Sequence, residues 1–103
     1  MFRFRLTELA EHDLDQVIGH IADDNPKAAN AFYHQLLEAA RLAAEMPFAS
    51  ASRDDLRPGV RMKVVGDYIM FFLVDRTAQT VDIIRILHGR RDLKPLVANA
   101  PKS

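Results

Sequence analysis

Four basic or imidazole side chains cluster near the end of the sequence: Arg85, His88, Arg90 and Arg91. Upstream, Arg57 and Arg61 bracket Pro58-Gly59-Val60. A histidine set among arginines could hold a phosphate and move a proton. Cleaving an RNA phosphodiester needs such groups, to activate a 2′-hydroxyl, stabilise the phosphorane and protonate the leaving oxygen. The competing reading is structural. A strand-end histidine is more simply fixed by a hydrogen bond to backbone or to a carboxylate, with Asp92 and Asp82 at hand. An arginine in an apolar strand needs a partner, so Arg85 is expected to pair with a carboxylate. His12, His20 and His34 fall on helical segments without ligand spacing, and the chain has no cysteine, so no metal site is expected. No Gly-rich phosphate loop and no Ser/His/Asp constellation stands out, and no cofactor is expected.

The elements that must position these residues follow from periodicity. Phe2, Phe4 and Leu6 alternate with Arg3 and Arg5, which predicts a half-buried strand over 2–6. Thr7 is placed to cap a helix whose first turns carry Glu8 and Glu11. Ala10, Leu14, Val17, Ile18, Ile21 and Ala22 form its apolar face. Gly19 inside this helix suggests a close approach by the next one. Asn25-Pro26 is a cap followed by a residue suited to the first helical position. The second helix runs to about Met46 with Ala29, Phe32, Leu36, Ala40 and Ala43 on one stripe, and Pro47 stops it. The short link predicts an antiparallel helical hairpin. After a loop over 47–59 come strands at about 60–65, 68–75 and 80–88. Gly66-Asp67 reads as a two-residue hairpin, and 75–79 as a longer turn. A short helix is expected at about 91–98. The fold class is α+β, in the order β-α-α-β-β-β, as one domain over 1–98 with a frayed tail over 99–103.

Length and charge narrow the function classes. The 103 residues, 49% of them hydrophobic, suffice for one modest core. No apolar run is long enough to span a membrane and no signal peptide is evident, so a cytoplasmic location is expected with no membrane partner. Residues 1–50 carry 4 Lys/Arg and 8 Asp/Glu, whereas 51–103 carry 10 and 6. The basic half could meet an acidic or phosphate-bearing surface. The neutral total argues against strong direct nucleic-acid binding.

The strand at 68–75 is apolar on both faces. Tyr68, Met70, Phe72 and Val74 point one way, and Ile69, Phe71 and Leu73 the other. Two helices can cover only one face of a small sheet. The second face must be covered either by the C-terminal segment, through Leu93, Leu96 and Val97, or by a partner protein. The size of the apolar patch favours the partner. In the strand at 80–88, strict alternation puts Val81, Ile83, Arg85 and Leu87 against Asp82, Ile84, Ile86 and His88.

Together these pieces resemble the ParE branch of the RelE/ParE toxin superfamily, the toxins of type II toxin–antitoxin modules. The matching stretches are Leu6-Thr7, Ala10 and Asp13-Leu14; Ile21 to Ala29 with Phe32 and Leu36; Arg53-x-Asp55-Leu56-x-Pro58-Gly59-Val60-Arg61; Tyr68 to Phe72; and Val81 to Leu93. They span residues 4–96. The resemblance implies the β-α-α-β-β-β fold and a cognate antitoxin, ParD-like or similar, that covers apolar surface. It also implies DNA gyrase as the target, inhibited by binding and not by catalysis.

By that resemblance the target-binding residues are Arg57, Arg61, Arg85, His88, Arg90 and Arg91. The antitoxin-binding residues are Tyr68, Met70, Phe72 and Val74, and no catalytic residue is assigned. RelE-like relatives cleave mRNA on the ribosome, with sheet arginines and lysines and a C-terminal tyrosine. Here Ile69 and Met70 stand where a RelE-like arginine would sit, and no tyrosine follows Tyr68. A RelE-like nuclease and a non-toxic antitoxin-binding relative are the alternatives.

Overall fold

The computed structural model describes all of residues 1–103. Strand β1 (Arg3–Leu6) leads into α1 (Glu8–Asp24) and α2 (Pro26–Glu45). A single 3-10 turn (Pro47–Ala49) and a two-residue strand β2 (Ala51–Ser52) follow. Then come β3 (Arg61–Val65), β4 (Tyr68–Asp75), β5 (Thr80–His88) and the short helix α3 (Leu93–Ala98). The strands form one sheet in the order β1-β5-β4-β3-β2. Only β1 and β5 run parallel.

The local signals act as their chemistry requires. The Thr7 hydroxyl accepts from the Ala10 N–H at 3.2 Å and opens α1. The Asn25 side chain accepts from the Ala28 N–H at 3.0 Å and opens α2, with Pro26 in its first turn. Gly66 takes φ +60° in the β3–β4 turn, the left-handed value that such a two-residue loop needs. Gly19 differs from expectation. It is exposed, and a Cβ built there meets nothing within 4 Å, so no helix approaches it.

Two apolar cores lie on opposite faces of the sheet. On the helical face, Met70, Phe72, Val81, Ile83 and Ile86 pack against Ala10 and Val17 of α1 and Leu36, Ala40 and Ala43 of α2. Alanines dominate the buried face of α2, so the strands supply most of the bulk. On the other face, Phe71, Ile84 and Leu87 pack against Leu56, Val60, Val97 and Ala100. The second face is therefore closed by the chain itself, through the 53–60 loop and α3. The preference for a partner over the C-terminal segment as this cover is corrected. Within the 99–103 tail, Ala100 is buried in this second core, and residues 101–103 are exposed.

The alternation in β5 breaks halfway. Phe71 pairs with Arg85 but Phe72 pairs with Ile83, so Ile84 is an extra residue. This bulge reverses the facing of everything after it. Ile86 turns to the helical core and Leu87 to the second core, opposite to strict alternation. His88 comes to stand across from Tyr68.

Candidate functional site

Strand β1 stops at Leu6, while its neighbour β5 continues to His88. The Thr7 N–H still donates to the Ile83 carbonyl at 3.0 Å. Beyond that point the edge of β5 would be bare. Asp13 of α1 fills the gap. Its Oδ2 accepts the Ile86 N–H at 3.0 Å and Arg85 Nε at 2.8 Å, and its Oδ1 accepts Arg85 Nη2 at 2.8 Å. Both side chains are nearly sequestered, at 7% and 12% exposure. Arg85 thus has the carboxylate partner expected of an arginine in an apolar strand. A bidentate pair of this kind fixes the tilt of α1 on the sheet. Asp13 was not singled out from sequence as that partner. The available signal was its place on the apolar stripe of α1, between Ala10 and Val17.

The other basic residues are not gathered in one rim. Arg57 Nη1 donates to the carbonyls of Val97 at 3.1 Å and Ala100 at 2.7 Å. It therefore ties the loop to the C-terminal end of α3, where a cation suits the helix dipole. Arg61 Nη1 donates to the Ser50 carbonyl at 2.8 Å, and its guanidinium lies 5.3 Å from the Phe48 ring centroid. Arg76 covers the same ring at 4.2 Å. Arg61 pairs with Phe72, whereas Tyr68, beside His88, pairs with Val65. Four residue steps separate these positions, roughly 13 Å along the strands.

Arg90 and Arg91 are exposed, and neither guanidinium has a carboxylate partner within the chain. The Arg91 N–H donates to the His88 carbonyl at 3.0 Å and the Arg90 N–H to His88 Nδ1 at 3.1 Å. His88 is thus held by backbone and not by Asp92 or Asp82. Its ring packs edge-on against Tyr68, with centroids 5.2 Å apart. Asp82 is taken by Arg5, at 2.6 and 3.2 Å, and that hydrogen bond raises the Arg5 pKa. In the loop, the Arg53 hydrogen bond holds the Asp55 carboxyl below its usual range.

Of the four residues expected to meet an antitoxin, Met70 and Phe72 are 1% and 0% exposed. They lie beneath the helical hairpin and offer no surface. Tyr68 and Val74 are half-buried, Tyr68 against Phe32 at 5.6 Å between ring centroids. One stretch of exposed apolar area lies at the edge of β3. Strand β2 pairs only with Arg61 and Met62, so Lys63–Val65 carry an open edge. Beside it a groove of about 510 Å³ runs between α2 and β3. Val64, 61% exposed, and Leu42, 42% exposed, line it.

No helix is long and apolar enough to cross a membrane. Comparison with known proteins agrees with the geometry. The chain is 28% identical over 92 residues to Toxin ParE1 of Mycobacterium tuberculosis, covering 88% of this chain and 93% of that protein. Its fold matches a chain of the chromosomal ParDE toxin–antitoxin system from P. aeruginosa with a TM-score of 0.73 at 23% identity, covering 85% and 96% of the two chains. It also matches a chain of the RelBE2 toxin–antitoxin complex from Mycobacterium tuberculosis with a TM-score of 0.60 at 23% identity, covering 84% and 96%. The family model for the ParE toxin of the type II toxin–antitoxin system parDE matches residues 4–93, and the chain accordingly belongs to the ParE toxin family.

Proposed function

We propose that this ParE-family toxin inhibits DNA gyrase by binding and is neutralised by a cognate antitoxin. One observation carries the preference for binding over RNA cleavage. The arginine set within the sheet end, Arg85, is locked in a bidentate pair with Asp13. A phosphorane in flight would have to compete with that carboxylate. Ile69 and Met70 in β4 are apolar, and no tyrosine follows Tyr68 to serve as an acid. On this reading Arg90 and Arg91, with His88 behind them, meet the target. Arg57, Arg61 and Arg85 hold the platform in shape. The antitoxin occupies the groove between α2 and β3, with strand addition along Lys63–Val65 and apolar anchoring on Val64 and Leu42. Tyr68 and Val74 lie outside the lining of that groove, and Met70 and Phe72 serve as core.

The test is induced expression in a susceptible bacterium, together with a supercoiling assay on purified gyrase. Filamentation, an SOS response, intact mRNA and lost supercoiling are expected. Rapid mRNA cleavage with unaffected supercoiling would overturn the gyrase reading in favour of the nuclease. Unaffected growth, with a neighbouring small protein still bound tightly, would leave a binding partner without toxicity.

A further inference from the structure

A cleft of about 170 Å³ opens between α1 and the ends of β4 and β5, on the helical side of the sheet. Its lining brings together Gln16, His20, Tyr68, His88 and Arg91, with Asp13 at its wall. None of the first five has a side-chain donor committed to another group in the chain. Gln16 and His20 stand four residues apart on α1 and so share a face. His88 Nδ1 accepts the Arg90 N–H, which in the neutral ring leaves the proton on Nε2 as a free donor. The edge-on Tyr68 ring fixes that imidazole. Arg91 brings a guanidinium without a carboxylate partner.

The single acid in the lining does not oppose an anion. Asp13 already accepts two bonds from Arg85 and one from the Ile86 N–H, so its charge is neutralised. What remains is a set of donors with net positive character around a space too small for a whole nucleoside, since drug-sized pockets run to roughly 300 Å³ and more.

We infer that this cleft binds a terminal phosphate group, with Arg91 and His88 as its principal donors and Gln16, His20 and the Tyr68 hydroxyl completing the set. A terminal phosphate presents three oxygens and occupies only the small cleft itself. An internal diester would extend past it on both sides. The site is distinct from the groove between α2 and β3, and it stands whether or not gyrase is the target. The β5 bulge makes it possible, because strict alternation would have turned His88 away from α1.

The phosphate has two sources, a free ion or the 5′ end of a nucleic acid, and the test separates them. Backbone amide NMR of the full chain is followed during titration with inorganic phosphate at constant ionic strength, with chloride as the control. Saturable shifts confined to residues 16–20, Tyr68 and 88–91 are expected. Arg91→Ala should weaken binding about tenfold or more, as loss of a charge-assisted bond does. Lys94→Gln, which removes a charge outside the lining, should leave the affinity unchanged. Arg91 is exposed, so its variant tests binding without disturbing the core. A 5′-phosphorylated trinucleotide that binds tighter than phosphate, and than its unphosphorylated form, assigns the source as a nucleic-acid end. Equal affinity with phosphate assigns the free ion. Shifts spread over all arginines, or an Arg91→Ala variant that binds as well as the parent, would overturn the inference.

Discussion

Replacing Asp13 with alanine should cost the fold about 3–5 kcal/mol, the range for removing one partner of a buried ion pair. Two losses coincide. Arg85, only 12% exposed, is left with a charge that no neighbour compensates. The Ile86 N–H, on the stretch of β5 that β1 does not reach, loses its acceptor. An orphaned buried donor alone costs about 1–3 kcal/mol, and the two losses share one carboxylate, so they do not simply add. A domain of this size has a total stability of about 5–15 kcal/mol, so the variant should be marginal. With a urea slope of roughly 1.5 kcal/mol/M, the unfolding midpoint should fall by about 2–3 M, read by circular dichroism. Arg85→Ala should sit at the lower end, because Asp13 keeps the Ile86 N–H. Leucine at 13 with methionine at 85 should recover only part of the loss: the unpaired charge is gone, as apolar replacements of buried pairs allow, but the Ile86 N–H still lacks an acceptor and keeps a cost of about 1–3 kcal/mol. A loss under about 1 kcal/mol for Asp13→Ala would refute the reasoning and make Asp13 an ordinary surface carboxylate.

Three further outcomes are expected. Gly66→Ala should destabilise by about 1–2 kcal/mol, because φ is +60° there and the new Cβ would lie 3.3 Å from Phe32 Cε1. Gly19→Ala should stabilise by nearly 1 kcal/mol, because its Cβ meets nothing in mid-helix, and parallel thermal melts of the two variants check both signs. By carboxyl carbon NMR, Asp55 should titrate below the ordinary value near 3.9, and Arg53→Ala should bring it back. The folded pKa is depressed, so the linked stability is complete above the unfolded value and is lost as pH falls through the folded one. Asp55 is exposed, so salt should erase most of that contribution.

The helices, their caps and the hairpin turn were legible because each rests on a local cause. Thr7, Asn25, Pro26 and Gly66 act within a few residues of themselves, and the chain nearby contains all the information. The three long strands were legible for the same reason. Two features of the candidate site were not. The first is the bulge at Ile84. Both Ile84 and Ile86 are apolar, so nothing in the hydrophobic pattern marks the extra residue, and only the pairing with β4 reveals it. Every facing after it was therefore read in reverse, including that of His88. The second is the cover of the far face. Alternation in β4 shows that both of its faces are buried, but burial carries no record of what does the burying. Phe71 is equally hidden under Val60 and Val97 or under another protein. The deciding residues, Leu56, Val60, Val97 and Ala100, lie in segments too short for periodicity, held together by Arg57 across 40 residues or more of sequence. Arg57 thus reads as a surface cation in the sequence and acts in the structure as the clasp of the second core. Arg85 and Asp13 likewise meet across 72 residues of sequence. A charge on an apolar stripe signals a partner, and in this chain two such charges, one on α1 and one on β5, answer each other.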